Sequence, residues 1–87
     1  METRVAVISI IIEDPASVQA MNELLHQHAE YIIGRMGIPY RERGISIISI
    51  ALDAPDNTIS ALAGKIGNLG GVSVKTAYSS VKGAPHG

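Results

Sequence analysis

The chain has 87 residues, a formal net charge of −1, three tyrosines, and no cysteine, phenylalanine or tryptophan. The lack of cysteine excludes disulfides, thiolate metal sites and cysteine nucleophiles, and the near-neutral charge gives no general attraction to nucleic acid or an anionic membrane. At this length we expect one domain over residues 1–80, with a flexible polar tail over residues 81–87. The lack of cysteine fits a reducing compartment, so we expect a cytoplasmic location.

The first predicted strand covers about residues 4–13 and is apolar on both faces. Side chains alternate between the two faces along a strand, and here both sets of positions are apolar except at Ser9. Asp14 and Pro15 then indicate a helix start, because Asp caps free amides and Pro suits the first helical position. Helical spacing extends this helix to about residue 29. The apolar residues on its stripe are Val18, Met21, Leu25 and Ala29.

Three more strands and a second helix follow. Strand two is predicted over about residues 31–40 and strand three over about residues 45–53, with a polar turn ending at Gly44 between them. A second helix follows the break at Pro55 and stops at Gly70-Gly71. Its apolar face consists of Ile59, Leu62, Ala63, Ile66 and Leu69. Strand four runs from residue 72 to about residue 78.

The order β-α-β-β-α-β predicts an α+β, ferredoxin-like sandwich with four antiparallel strands and both helices on one face of the sheet. Strands one and three, both apolar on both faces, fall at the centre of that sheet. A chain this short cannot easily cover the second face itself, so we expect a dimer or tetramer. The residues predicted to lie in the oligomer interface are Val5, Val7, Ile11, Ile45 and Ile47.

Three arginines around strand two are candidates for binding an anion. The guanidinium groups of Arg35, Arg41 and Arg43 suit a carboxylate or a phosphate. The alternative is a solvated turn in which Glu30 and Glu42 pair with these charges. Two glycines, at positions 34 and 37, are unusual in a strand and predict a bulge or a close approach of a ligand or subunit.

The turn after strand one is the second candidate for ligand binding. Asp14 and Ser17 lie at a helix start, where free amides can hold a carboxylate. Ordinary capping by Asp14 explains the same residues. We expect any small effector to bind near this turn and the segment 34–43, at a subunit boundary.

The histidines do not suggest a metal site. His26 and His28 are two residues apart on one helix, so their side chains point about 200° apart. We expect His28, on the apolar stripe, to be partly buried and bonded to a carbonyl. The sequence also contains no phosphate-binding glycine loop and no recognisable nucleophile arrangement. It therefore predicts no metal, no cofactor and no enzymatic activity.

Four segments carry a resemblance to a known family. They are residues 22–26, 34–42, 58–67 and 70–76. Over about residues 4–78 the chain resembles the iron-only hydrogenase system regulators, a small family of bacterial proteins. That family looks like ACT-type domains and the C-terminal domains of nickel-responsive regulators, which are ferredoxin-like and oligomeric. In ACT-like domains the turn after the first strand helps to bind an effector between subunits.

The resemblance also sets expectations for what the chain lacks. The nickel-responsive ligand set includes a cysteine, which this chain does not have, so the metal site is not carried over. Those regulators also carry a ribbon-helix-helix DNA-binding segment, for which this chain leaves no residues.

We therefore expect a small, oligomeric, ligand-sensing or regulatory module associated with an iron-only hydrogenase system. Its expected partners are further copies of itself, a small anionic effector and a hydrogenase-system protein, without direct contact to nucleic acid or membrane. The alternatives are a structural interaction module with no small ligand and a metal-sensing domain.

Overall fold

The computed structural model of the protein describes residues 2–80, and all elements below lie within them. The strands are β1 (Arg4–Ile12), β2 (Ile32–Tyr40), β3 (Ile45–Ala54) and β4 (Val72–Tyr78), and the helices are α1 (Val18–Gln27) and α2 (Asp56–Gly67). Short 3₁₀ turns lie at Pro15–Ser17, Ala29–Tyr31 and Arg41–Arg43. The predicted βαββαβ order is confirmed. The tail predicted over residues 81–87 lies outside the described residues.

The first helix is shorter than its sequence pattern predicts. The ring Nδ1 of His28 bonds to the Leu24 carbonyl oxygen at 2.8 Å, which is the oxygen that the backbone N–H of residue 28 would use in a continued helix. That backbone N–H bonds instead to the Leu25 carbonyl at 3.1 Å, and α1 ends at Gln27. Ala29 is consequently exposed and does not join the buried stripe.

The sheet has the order β2-β3-β1-β4, and all neighbouring strands are antiparallel. The two doubly apolar strands, β1 and β3, are therefore central, as the sequence predicts, and Ser9 lies opposite Ser49. The register of edge strand β2 shifts between Ile32 and Gly34. This irregularity is the bulge expected at Gly34.

Both helices pack on one face of the sheet and enclose the core. Alternate residues of β1 and β3 point to this face, and each helix adds a stripe at helical spacing. The buried apolar residues are Ala6, Ile8, Ile10, Ile12, Met21, Leu25, Ile48, Ile50, Leu52, Ala54, Ile59, Leu62 and Ile66. Ala63 and Leu69, predicted on the same helix face, pack against this cluster and are partly buried.

The turn after β1 is joined to the start of β4 by hydrogen bonds. The backbone N–H of Glu13 donates to the Gly71 carbonyl at 2.7 Å, and the hydroxyl of Ser17 donates to the Gly70 carbonyl at 2.6 Å. Gly71 has a φ of +68°, a left-handed conformation that favours glycine. The two segments are close enough that a Cβ at Gly71 would lie 2.7 Å from the Cβ of Asp14.

Arg4 holds the opposite end of the sheet together. Its guanidinium lies 5.0 Å from the ring centroid of Tyr78, its Nε donates to the Ser79 carbonyl at 3.1 Å, and its Nη1 lies 3.5 Å from the Asp56 carboxylate. One side chain thereby ties the start of β1 to the end of β4 and the first turn of α2.

Two glycine substitutions test the close approach at the start of β4. Gly71→Ala should destabilise the fold by about 2 kcal/mol or more, because left-handed backbone costs a residue with a Cβ roughly 1–2 kcal/mol and the contact with Asp14 adds to this cost. Gly64→Ala should stabilise it by about 0.5–1 kcal/mol, because Gly64 is a helix residue with open space around the added Cβ. Urea unfolding of both variants gives the comparison. Equal effects would contradict this account.

Candidate functional site

The five residues predicted for an oligomer interface lie on the face of the sheet opposite the helices. Val5, Ile11 and Ile47 expose 43%, 42% and 36% of their surfaces, and Val7 and Ile45 are half-buried. We call this surface the open face; it consists of the outward residues of all four strands. The structure places the predicted set together on it, and its cover by another subunit stays a prediction.

Edge strand β2 enlarges the open face in a way that the sequence analysis missed. Met36, Ile38 and Tyr40 pair with outward residues of β3 and expose 54%, 46% and 43% of their surfaces. Their alternation with Gly37 and Pro39 was the available signal, since one face of a strand repeats every second residue. The open face is therefore wider than the two central strands alone.

A polar row crosses the middle of the open face. Lys75 lies opposite Ser9, which lies opposite Ser49. With Ile11 and Ile47 they line a shallow cavity of about 250 Å³. The open face thus has two hydroxyl groups at its centre and one lysine on its β4 edge.

The three candidate arginines do not lie together in the structure. Arg41 and Arg43 lie in the turn between β2 and β3 and are exposed, whereas Arg35 lies in the middle of β2, opposite Ile50. The strand positions of Arg35 and Tyr40 are about 17 Å apart at 3.4 Å per residue. Within residues 2–80, the expected pairing of Glu30 and Glu42 with these arginines does not form. The turn is solvated, and Arg35 stands apart from it.

Asp14 and Ser17 are engaged with neighbouring backbone. The Asp14 carboxylate accepts the N–H of Ala16 at 3.0 Å, and the Ser17 hydroxyl is turned inward to Gly70, with Ser17 only 8% exposed. Asp14 therefore caps the start of the helical segment, which was the alternative to ligand binding. This turn shares one end of the sheet with the Arg41–Arg43 turn, because both Ile12 and Pro39 lie opposite Ser46.

A groove runs between α1 and β2 on the helix side of the sheet. It consists of two adjoining cavities, one of about 220 Å³ next to Met21 and Gly37 and one of about 390 Å³ next to Leu25 and Gly34. Arg35 and Asn22 line both cavities, and Arg35 Nη2 donates to Asn22 Oδ1 at 3.1 Å between them. We call this the α1–β2 groove. Of the three candidate arginines, Arg35 is the one that lines it.

His26 and His28 have different surroundings in the structure, as their two-residue spacing predicts. The bond between the His28 ring and the Leu24 carbonyl at 2.8 Å confirms a partly buried histidine paired with a carbonyl. His26 is exposed and lines the larger cavity of the groove. Among residues 2–80, no three His, Cys, Asp or Glu side chains are close enough to hold one metal ion.

A family model matches residues 4–76. Its description is "TM1266-like: Iron-only hydrogenase system regulator, putative". The chain belongs to this family. The resemblance noted in the sequence is confirmed over nearly the same residues. The family description names a regulator of an iron-only hydrogenase system, which is the role that the resemblance implied.

Solved structures share the fold. An uncharacterized protein, TM1266, from Thermotoga maritima is 38% identical, with a TM-score of 0.85 over 88% of this chain and 98% of that one. A formyltetrahydrofolate deformylase from Pseudomonas putida is 13% identical, with a TM-score of 0.61 over 84% of this chain and 28% of the deformylase. At that identity the second likeness shows the fold alone. No curated protein matches the sequence significantly. No helix among the described residues is long and apolar enough to cross a membrane.

Replacing Ser17 tests whether this residue is structural. Ser17→Ala should lower the free energy of unfolding by about 1 kcal/mol, because the Gly70 carbonyl loses its 2.6 Å hydrogen bond. Ser60→Ala, at an exposed position of α2, is the matched control and should change stability by less than about 0.5 kcal/mol. A Ser17→Ala variant that keeps full stability but loses stabilisation by added anions would instead make Ser17 a ligand donor.

Proposed function

We propose that this TM1266-like chain is a regulatory module of an iron-only hydrogenase system. It works as a homo-oligomer joined through the open face, and it responds to a small anionic effector. Family membership supports the regulatory role. The observation that carries the assembly is the largely apolar surface, crossed by one polar row, on the side of the sheet that the chain's own helices leave uncovered.

The size of the open face suits a stable dimer. Four strands about 4.8 Å apart and about nine residues long present a surface of about 19 by 30 Å. A standard interface buries about 800 Å² on each partner, and the side chains on a pleated face expose more area than its plane. Exposed apolar patches larger than a few hundred Å² mark interaction sites. A second copy of this face is the occupant that we propose.

The polar row favours one register of the two copies in a dimer. Hydroxyl and ammonium groups that are buried without partners cost free energy. In a two-fold interface the same patch meets itself, so the row of one copy can face the row of the other. Ser9 and Ser49 are each able to donate and accept, so such a row is self-complementary. A slipped register would place these groups against isoleucines.

Arg35 supports the response to an anion. Its guanidinium has an amide oxygen as its partner and forms no carboxylate pair within the described residues. A free guanidinium fork matches a carboxylate or a phosphate in two parallel hydrogen bonds. Arg41 and Arg43 add exposed positive charge further along the same strand and turn. Asp14 and Ser17, which are engaged with backbone, contribute less than the sequence pattern suggests.

Introducing a charge at the centre of the open face tests the assembly. Ile47→Lys should convert a dimer or tetramer into monomer, because an ammonium would have to be buried among isoleucines. Sedimentation velocity at micromolar concentration measures the change in mass. Fully burying an isoleucine contributes roughly 1.5–3 kcal/mol, so the loss of affinity should be at least tenfold per interface.

The control places the same charge outside the open face. Ser60→Lys, on the exposed side of α2, should leave the oligomer intact, and circular dichroism should show both variants folded. A wild-type protein that sediments as a stable monomer would overturn the proposed assembly. If that monomer instead binds a hydrogenase-system protein through Ile47, the chain is the interaction module that the sequence left as the alternative.

A further inference from the structure

The smaller cavity of the α1–β2 groove is open beside Gly37. This glycine faces the helix side of the sheet, because it pairs with the buried Ile48. A Cβ at Gly37 would meet only the Ile48 side chain, at 4.0 Å, and Gly37 has no positive φ, so backbone conformation does not require glycine there. Gly34 borders the larger cavity through its backbone, since its register partner Ala51 lies on the outward side of β3.

Polar donors converge on the groove from both of its walls. Asn22 and His26 are four residues apart on α1 and therefore lie on one side of the helix, and Arg35 faces them from β2. Asn22 uses its amide oxygen to hold the guanidinium, which leaves its NH₂ group free to donate. No acidic residue is among the residues that line the two cavities. The groove therefore favours an anion.

The rest of the lining is apolar. Met21 and Ile48 lie along the smaller cavity, and Leu25 and Ile32 along the larger one. Ligand sites combine an apolar wall with a few converging polar groups, in volumes of about 300–1,000 Å³. The two cavities together fall within that range.

We propose that the α1–β2 groove binds an organic carboxylate with an apolar body. Arg35 holds the carboxylate in two hydrogen bonds, Asn22 fixes the guanidinium, and the apolar body lies along α1. The site is built by one protomer. This inference rests on the proposed function, since it gives the chemical class and the place of the effector.

Octanoate and acetate are suitable probes, because they share a carboxylate and differ in apolar length. Titration of ¹⁵N-labelled protein should shift the amide signals of Gly34 and Gly37 saturably. Affinity should rise by about fourfold for each methylene that is buried, so octanoate should bind much more tightly than acetate. Equal affinity for the two acids, or no saturable shift with octanoate, would overturn the proposal.

Two variants locate the probe. Arg35→Gln should weaken octanoate roughly tenfold or more, because hydrogen bonds to a charged group are lost. Gly37→Val should weaken it comparably by filling the smaller cavity, and Gly37→Ala provides a milder filling of the same cavity. Arg41→Gln removes the same charge in the exposed turn and should leave the affinity unchanged within about twofold, since an exposed charge this far away is screened.

The oligomeric state separates this inference from the proposed assembly. Octanoate should still bind Ile47→Lys, since one protomer builds the groove. Binding that is lost in Ile47→Lys and retained in Arg35→Gln would place the probe on the open face and overturn the groove site. An oligomeric wild type in which octanoate shifts neither glycine amide would overturn the groove site and leave the assembly standing.

Discussion

The antiparallel pairing of β1 with β3 is the constraint on which the rest of the structure depends. Both strands are apolar on both faces, and their register places Ile8 opposite Ile50 on the helix side and Ile11 opposite Ile47 on the other. A one-residue slip would exchange the two faces. Because the helix side closes into a buried core, the second apolar face has no element within residues 2–80 to cover it.

Specific contacts hold β4 to the rest of the sheet at both ends. At one end, the Ser17 hydroxyl and the Glu13 amide bond to the Gly70-Gly71 backbone. At the other, Arg4 contacts Tyr78, Ser79 and the carboxylate of α2's first residue. Edge strand β4 is thereby fixed at both ends. Edge strand β2 is almost wholly exposed along its length beyond Ile32.

The fold could be predicted because it depends on local patterns. Two-faced apolar strands, helical stripes and turn residues each indicate one element, and the order of elements selects one topology. The end of the first helix could not be read in this way. Helical spacing continues to Ala29, but the His28 side chain takes the Leu24 carbonyl, and a pattern of apolar positions contains no information about that competition.

The candidate site was less predictable, because it depends on which elements meet. The sequence suggests one cluster of three arginines, because they are close along the chain. In the structure an extended strand separates Arg35 from the Arg41–Arg43 turn. Asp14 and Ser17 have the residue types of an anion site and also those of a helix start, and their partners decide between the two. Gly34 and Gly37 indicated a bulge or a close approach. The register of β2 shifts between Ile32 and Gly34, whereas the open space beside Gly37 becomes visible only where α1 lies next to β2.

The two proposed sites share one strand. Arg35 and Gly37 face the α1–β2 groove, while Met36 and Ile38, alternating with them, belong to the open face. A ligand affects assembly only if it binds the assembled and free forms with different affinity. β2 suits such coupling, because it has a bulge, two glycines and little buried side-chain surface, which are features of the less stable parts of a fold. A carboxylate that holds Arg35 against α1 would order this edge strand. The same strand presents Met36, Ile38 and Tyr40 to a partner. A ligand that orders β2 from the groove side would therefore also order the part of the open face that the partner contacts.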